Sequence, residues 1–130
     1  MHCEQSTIYT CAPAACVAAL AHCGIRISER EMAALCLTNR NGTDEFNIYR
    51  GLTLALVGKP WRVRLREIPA EALAAHDAVA VICLPGHANA VIGEGGGILL
   101  HDPFTAGPTR RTVAEFATIY TGTAVTIERL

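Results

Sequence analysis

The hydrophobic pattern of this 130-residue chain changes its period at Trp61, and this change limits the folds that the chain can adopt. Before Trp61, apolar residues recur at helical spacing and are separated by residues that start or stop helices. The predicted helices run from Ala14 to Cys23 before Gly24, from the Ser28–Glu31 capping box to about Leu37, and from a cap at Thr43 or Asp44 to Gly58.

After Trp61, apolar and polar residues alternate as they do along a half-buried strand, beginning with Trp61 to Arg66. Further strands are predicted over Ala78 to Leu84, His87 to Gly93, Ile98 to Asp102 and Thr123 to Ile127. Two short helices are predicted between strands, over Pro69 to Ala75 and from the Thr112–Glu115 capping box to about Tyr120. Because helices come first and short turns join the later strands, we expect an α+β fold with N-terminal helices packed on a mainly antiparallel sheet.

Length and composition predict a single soluble domain that spans residues 1–130. The formal net charge of −1, with only eleven Lys and Arg, argues against a nucleic-acid partner. The uncharged stretch from Gln5 to Ile25 is not preceded by a Lys or Arg and is interrupted by Pro13, so we do not expect it to be a signal peptide. We also expect no segment of this sequence to cross a membrane. We expect a cytoplasmic protein, and an excised domain of a longer chain would have the same composition.

The six cysteines divide into one candidate nucleophile and five that we expect to be reduced and mostly structural. Without an export signal, reduced thiols are favoured over disulfides, and no pair of cysteines has the spacing of a zinc site. Cys16 and Cys23 lie seven residues apart on one face of the first helix, where cysteine usually serves as a small buried apolar residue. The candidate nucleophile is therefore the remaining thiol at the start of that helix, Cys11.

Cys11 comes directly before Ala12 and Pro13, which places it where the first helix begins. The free N–H groups and the positive dipole end at a helix start favour an anion, and a thiolate is such an anion. Gln5 lies six residues upstream, and its side-chain amide can join the backbone N–H of Cys11 in binding an oxyanion. These two residues therefore fit a nucleophile and an oxyanion hole.

His87 and Asp102 complete a candidate triad on two paired strands. A cysteine nucleophile needs a base that accepts its proton and returns it to the leaving group, and His87 begins a predicted strand after Pro85 and Gly86. A carboxylate on the other ring nitrogen would fix the tautomer of that histidine. We expect Asp102 in this role rather than His101, because successive strand residues point to opposite faces.

The segment from Gln5 through Thr10, Cys11, Ala12 and Pro13 resembles the opening of the papain-fold cysteine peptidases that process bacteriocin precursors. The resemblance continues through Asn41-Gly42-Thr43, Gly86-His87, Leu100-His101-Asp102-Pro103, Glu115-Phe116 and Thr121-Gly122, and so spans nearly the whole chain. It implies a papain-like core with Cys11 as nucleophile, His87 as base and acid, Asp102 as its orienting group and Gln5 in the oxyanion hole. It also implies that the enzyme uses no metal or cofactor.

The best-known members of that family cut leader peptides after a Gly-Gly pair, commonly as the N-terminal domain of an ABC exporter. The resemblance therefore implies a peptide substrate and a site of action beside an exporter, with no membrane insertion by this chain itself. Three departures bear on the substrate: Ala12 stands in place of the family's glycine, Thr10 in place of its usual aspartate, and Ala88-Asn89-Ala90 in place of an aromatic and β-branched residues.

Our leading prediction is a cysteine peptidase that hydrolyses a peptide through a thioester acyl-enzyme, and three alternatives stay open. The same acyl-enzyme can pass its acyl group to an amine instead of water, which gives an amide-forming acyltransferase. The departure at Ala12 also fits a catalytically inactive domain that binds a leader peptide or a partner protein. A metal-dependent hydrolase would draw on His2, Cys3, His22, Cys23 and His101, but their spacing matches no known catalytic metal motif.

Overall fold

The computed structural model describes residues 2–3, 11–38, 43–84 and 87–130. Its helices are α1 (Cys11–His22), α2 (Glu29–Leu35), α3 (Glu45–Ala55), α4 (Ala70–Leu73) and α5 (Val113–Ala117). Its strands are β1 (Trp61–Glu67), β2 (Val79–Leu84), β3 (His87–Gly93), β4 (Gly97–His101), β5 (Thr109–Thr112) and β6 (Thr123–Arg129).

The strands form one six-stranded antiparallel sheet in the order β1-β6-β2-β3-β4-β5. Strands β2 to β5 pair with their neighbours in sequence, whereas β6 returns from the end of the chain to lie between β1 and β2. The pairs Leu84↔His87 and Ala90↔His101 set the register of the strands that carry the candidate site. This register places the start of β3 next to the turn that follows β4.

The helices cover both faces of the sheet. The first three lie on one face, where α1 is buried at every position from Ala12 to Leu20 and contacts β2 and β3. Its many alanines allow this close approach, because a methyl side chain leaves little distance between a helix and the strands below it. On the other face, α4 and α5 cover a second cluster of buried residues around Phe116. Helix α1 is therefore enclosed on all sides over Ala12 to Leu20.

Local sequence signals account for the helix boundaries. The side chain of Ser28 accepts the N–H of Glu31 at 3.0 Å, and that of Asp44 accepts the N–H of Asn47 at 2.8 Å. The backbone at Gly24 is left-handed (φ +80°), which ends α1 as predicted. The predicted capping box at Thr112 is confirmed, with both of its hydrogen bonds present.

The structure confirms the α+β fold, the antiparallel sheet and the predicted last strand, and it differs from the prediction in individual elements. Strand β5 was not predicted, and β6 lies inside the sheet although it closes the chain. Helix α5 ends at Ala117 and not near Tyr120, because the N–H groups of Thr118 and Ile119 bond three residues back in a tightened turn. Within the described residues, no helix combines the length and hydropathy needed to cross a membrane.

Candidate active site

Cys11 is the first residue of α1, and its side chain is half-buried against the core beneath that helix. The buried run from Ala12 to Leu20 fixes this helix start relative to the sheet. The backbone N–H groups of Cys11, Ala12 and Ala14 have no acceptor within this twelve-residue helix, and such groups at a helix start favour a negative charge. Gln5, the predicted oxyanion donor, lies outside the described residues.

His87 and Asp102 are joined directly, as the sequence led us to expect. Nε2 of His87 lies 2.5 Å from Oδ1 of Asp102, and both side chains are mostly buried. The same oxygen accepts the backbone N–H of Phe104 at 2.8 Å, which holds the carboxylate in place. A hydrogen bond to a carboxylate requires the proton on Nε2, so the neutral ring keeps its lone pair on Nδ1.

That second ring nitrogen is buried and has no hydrogen-bond partner among the described residues. A buried polar atom without a partner is uncommon and costs about 1–3 kcal/mol, so such atoms often belong to sites where a partner arrives during function. Within the described part of the chain, Nδ1 of His87 is thus a buried hydrogen-bond acceptor without a donor.

Phe104 covers the imidazole of His87. The two rings are stacked, with centroids 4.1 Å apart and planes within 8° of each other. The outer face of Phe104 is open to solvent, since 57% of the residue is exposed. Sequence reasoning missed this residue, because nothing in an Asp-Pro-Phe turn predicts which ring the phenylalanine will cover.

His101 faces away from Asp102, as strand alternation predicts. Its Nδ1 lies 3.1 Å from Nδ1 of His2, and the two rings are stacked. Nε2 of His2 donates its proton to the carbonyl of Thr105 at 2.7 Å. In the hydrogen bond between the two histidines, Nδ1 of His2 is therefore the acceptor and Nδ1 of His101 is the donor. Burial is the largest cause that lowers the pKa of His101 to about 4, and the neighbouring His2 adds to it.

The start of α1 and the β2–β3 hairpin meet on the same face of the sheet. Cys83 pairs with Ala88, the residue after His87, and both pack with Cys11 against one core cluster. A charge on Cys11 contributes to raising the pKa of Cys83 and of Cys16, an effect that requires proximity. Cys11 therefore lies near the β2–β3 hairpin, but Nδ1 of His87 has no hydrogen-bond partner among the described residues, Cys11 included.

His2 and His22, two of the residues that the metal-dependent alternative would use, lie in different places and have different partners. His2 bonds His101, whereas His22 lies at the other end of α1 and contacts Asp77 at 3.2 Å. Within the described parts of the chain, no three residues of the types His, Cys, Asp and Glu are grouped so that they could hold a metal ion.

The fold matches those of solved peptidase domains. The peptidase domain of Streptococcus ComA, a bifunctional ABC transporter of a quorum-sensing pathway, is similar with a TM-score of 0.77 and 21% identity over 99% of this chain and 98% of that one. A double-glycine-motif protease from an AMS/PCAT transporter, solved with its leader peptide, is similar with a TM-score of 0.79 and 16% identity over 100% and 91% of the two chains. The chain has the fold of these peptidase domains.

A third similar structure is the N-terminal peptidase-like domain of a toxin-secretion ATP-binding protein from Vibrio parahaemolyticus, with a TM-score of 0.61 and 10% identity over 98% and 99% of the chains. No protein-family model matches the sequence, and a search of curated proteins finds no significant match. The likeness thus lies in the peptidase fold, which is shared over almost the full length of each chain.

Proposed function

We propose that this chain is a cysteine peptidase in which Cys11, His87 and Asp102 act as a catalytic triad. One observation carries the proposal: the ring of His87 is bonded through Nε2 to Asp102, while its buried Nδ1 has no partner among the described residues. This leaves the histidine in the tautomer that a general base needs. In this proposal the nucleophile is Cys11, which begins a helix near the same hairpin.

In the first step, Nδ1 of His87 takes the thiol proton of Cys11, and the sulfur attacks the carbonyl carbon of the substrate. The imidazolium that forms is stabilised by the carboxylate of Asp102, to which it is already bonded. The backbone N–H of Cys11 and the side-chain amide of Gln5 bind the oxyanion in this proposal. The imidazolium then protonates the departing amine, and the acyl group remains on sulfur as a thioester.

In the second step, a water molecule gives a proton to Nδ1 of His87 and attacks the thioester carbonyl. The tetrahedral intermediate expels the Cys11 sulfur, which regains its proton from His87, and the carboxylic acid product leaves. An added amine can replace water in this step, which would give the acyltransferase alternative from the same residues. The backbone N–H of Phe104 keeps Asp102 in place through both steps.

The substrate in this proposal is a peptide, and the favoured candidate is a leader peptide cut after Gly-Gly. One similar fold is described as a double-glycine-motif protease in complex with a leader peptide, and another as the peptidase domain of an ABC transporter. By the same reasoning, residues 1–130 would form one peptidase domain that acts beside an exporter. Ala12, in place of glycine next to the nucleophile, favours the inactive binding domain as the second candidate.

The decisive test combines turnover with labelling of single thiols. A synthetic leader-type peptide with an internal Gly-Gly is incubated with the wild-type chain, Cys11→Ala and Cys23→Ala, and its products are identified by mass spectrometry. Cys23 is a matched control, because it is a half-buried thiol beyond the other end of α1 and burial raises its pKa to about 11. We expect cleavage by the wild type and Cys23→Ala and none by Cys11→Ala. Binding of the peptide without cleavage by any of the three would favour the binding domain.

Iodoacetamide at about pH 6 gives an independent readout, because it alkylates thiolates. We expect rapid labelling of Cys11 alone, while Cys23 stays protonated and unlabelled. Substitution of His87 by alanine should slow the labelling of Cys11 to the rate of an ordinary thiol. Equal labelling rates for Cys11 in the wild type and in His87→Ala would contradict the pairing of these two residues.

A further inference from the structure

Four of the six thiols gather near the first half of α1, and the proposed mechanism uses only one of them. All six cysteines lie in or against the larger core cluster, and the four in question are Cys16 and the three that affect its pKa, namely Cys11, Cys36 and Cys83. Cys16 is close enough to the other three for each to raise its pKa, and Cys36 has the largest effect. A cluster of thiols around a nucleophilic cysteine has a chemical consequence when the nucleophile is oxidised.

Solvent access divides this cluster into two pairs. Cys16 and Cys36 are completely buried, so a dissolved oxidant cannot reach either sulfur. Cys11 and Cys83 are only half-buried, and each keeps part of its surface open. Among these four residues, Cys83 is therefore the accessible partner that is left for an oxidised Cys11.

The fold also brings the chain segments of Cys11 and Cys83 together. Helix α1 contacts both β2, which carries Cys83, and β3, which pairs with it. Ala12 follows Cys11, and Ala88 lies directly opposite Cys83; both are buried in the shared cluster. Because these two side chains are only methyl groups, the helix start and the hairpin can approach closely.

We propose that Cys83 is a resolving thiol for Cys11: when a hydroperoxide oxidises Cys11, Cys83 closes a disulfide with it and so protects the nucleophile from irreversible oxidation. The proposal rests on the proposed function in that it takes Cys11 as the reactive thiol. The modification is a reversible Cys11–Cys83 disulfide, for which hydrogen peroxide is the simplest oxidant and a dithiol is the reductant.

The chemistry balances in two steps. The Cys11 thiolate attacks one oxygen of hydrogen peroxide, so that an S–O bond forms as the O–O bond breaks. The departing hydroxide takes up a proton and becomes water. Cys11 is now a sulfenic acid. The Cys83 sulfur then attacks the Cys11 sulfur, the S–S bond forms, and the hydroxyl group leaves with the Cys83 proton as a second water. A dithiol later supplies the two electrons that restore both thiols.

The environment of Cys83 sets the order of these events. Burial raises the pKa of Cys83 to about 12, with further contributions from Glu45, Cys11 and Asp44. At neutral pH the Cys83 thiol is therefore protonated and reacts poorly with peroxide itself. Oxidation of Cys11 to a neutral sulfenic acid removes the Cys11 contribution to that pKa, while the larger contributions of burial and Glu45 remain. Cys83 thus acts second, after Cys11 has been oxidised.

The test maps the disulfide in the full chain after brief exposure to equimolar hydrogen peroxide and blocking of the remaining thiols. Trypsin separates Cys83 from every other cysteine, since residues 67–110 contain no second one. We expect this peptide to be linked to residues 1–26, and the link to be present in Cys3→Ala but lost in Cys11→Ala. A Cys83 that stays reduced while Cys11 is oxidised, or a link that survives in Cys11→Ala, would overturn the proposal.

Recovery of activity provides the second arm. After peroxide treatment and then dithiothreitol, we expect the wild type and Cys3→Ala to regain nearly all cleavage activity, and Cys83→Ala to lose it with sulfinic acid on Cys11. Equal recovery by Cys83→Ala and the wild type would contradict a resolving role. Because the disulfide is detected by mass spectrometry, its test does not depend on peptidase activity. A Cys11–Cys83 disulfide in a chain that cleaves no peptide would refute the proposed peptidase function and leave the resolving role of Cys83 intact.

Discussion

The ring of Phe104 lies flat against the imidazole of His87, with centroids 4.1 Å apart, while its own backbone N–H binds the carboxylate that holds the same imidazole. One residue therefore orients both members of the His87–Asp102 pair. The stacked ring also covers one face of the imidazole, and a hydrogen bond is electrostatically stronger where its groups are shielded from water. Phe104 is in this account a positioning residue that acts through His87.

Replacing Phe104 by alanine should lower kcat roughly 10-fold with little change in KM, because the base is displaced by a fraction of an ångström while the peptide-binding surface is kept. Phe104→Trp, which restores a flat ring, should recover most of the loss. The matched control is Ile119→Ala, at another exposed apolar residue. A rise in KM alone in Phe104→Ala would show that the ring binds substrate instead.

Asp102→Asn should retain much more activity than Asp102→Ala. In Asp102→Asn, the backbone N–H of Phe104 needs an acceptor, so the amide oxygen of the asparagine should take the place of Oδ1 of Asp102. That oxygen can then still accept the Nε2–H of His87. We expect a loss of about 10-fold in kcat/KM for Asp102→Asn and of about 100-fold or more for Asp102→Ala. Equal losses in the two variants, measured on folded protein, would contradict the role of the Phe104 N–H.

His101 predicts a pH dependence of stability. Its pKa is lowered to about 4 in the folded chain, whereas an unfolded histidine has its ordinary value of about 6.5. Between these values the unfolded chain takes up a proton that the folded chain excludes, so the free energy of unfolding falls as the pH drops, by roughly 2–3 kcal/mol in total. Denaturant titrations between pH 7 and 4 should show a weaker decline in His101→Gln, while His76→Gln, at an exposed histidine, should behave as the wild type.

Gly93 marks a place where the fold tolerates no side chain. A Cβ on this residue would collide with the backbone carbonyl oxygens of Ala75 and Leu73, whereas one on Gly97 would make only ordinary contact with the carbonyl of Arg111. We expect Gly93→Ala to lower the free energy of unfolding by about 2–4 kcal/mol and Gly97→Ala by less than about 1 kcal/mol. Urea denaturation of the two variants checks this, and similar midpoints would contradict the close approach of α4 to β3.

Much of this architecture was predictable from sequence because its signals are local. The caps at Ser28 and Thr112 and the stop at Gly24 set their helix boundaries by hydrogen bonds and backbone geometry within a few residues. The position of β6 between β1 and β2 was not predictable in this way, since it depends on pairing between residues more than 40 positions apart. Short-range patterns give no information about such contacts.

The same division applies to the candidate site. Strand alternation correctly favoured Asp102 over His101 as the partner of His87, and the hydrogen bond between them follows from the β3–β4 register. The stacking of Phe104 on His87 and the meeting of Cys83 with the start of α1 depend on how turns and layers pack in three dimensions. Neither relationship leaves a trace in residue spacing.

The most direct test of the central claim is a crystal structure of the chain with a peptide aldehyde that ends in Gly-Gly. We expect a covalent bond between the aldehyde carbon and Sγ of Cys11, with Nδ1 of His87 within about 3–4 Å of that sulfur and Nε2 still bonded to Asp102. An adduct on another cysteine, or a Cys11 thiol enclosed by aliphatic side chains and far from the His87 ring, would contradict it.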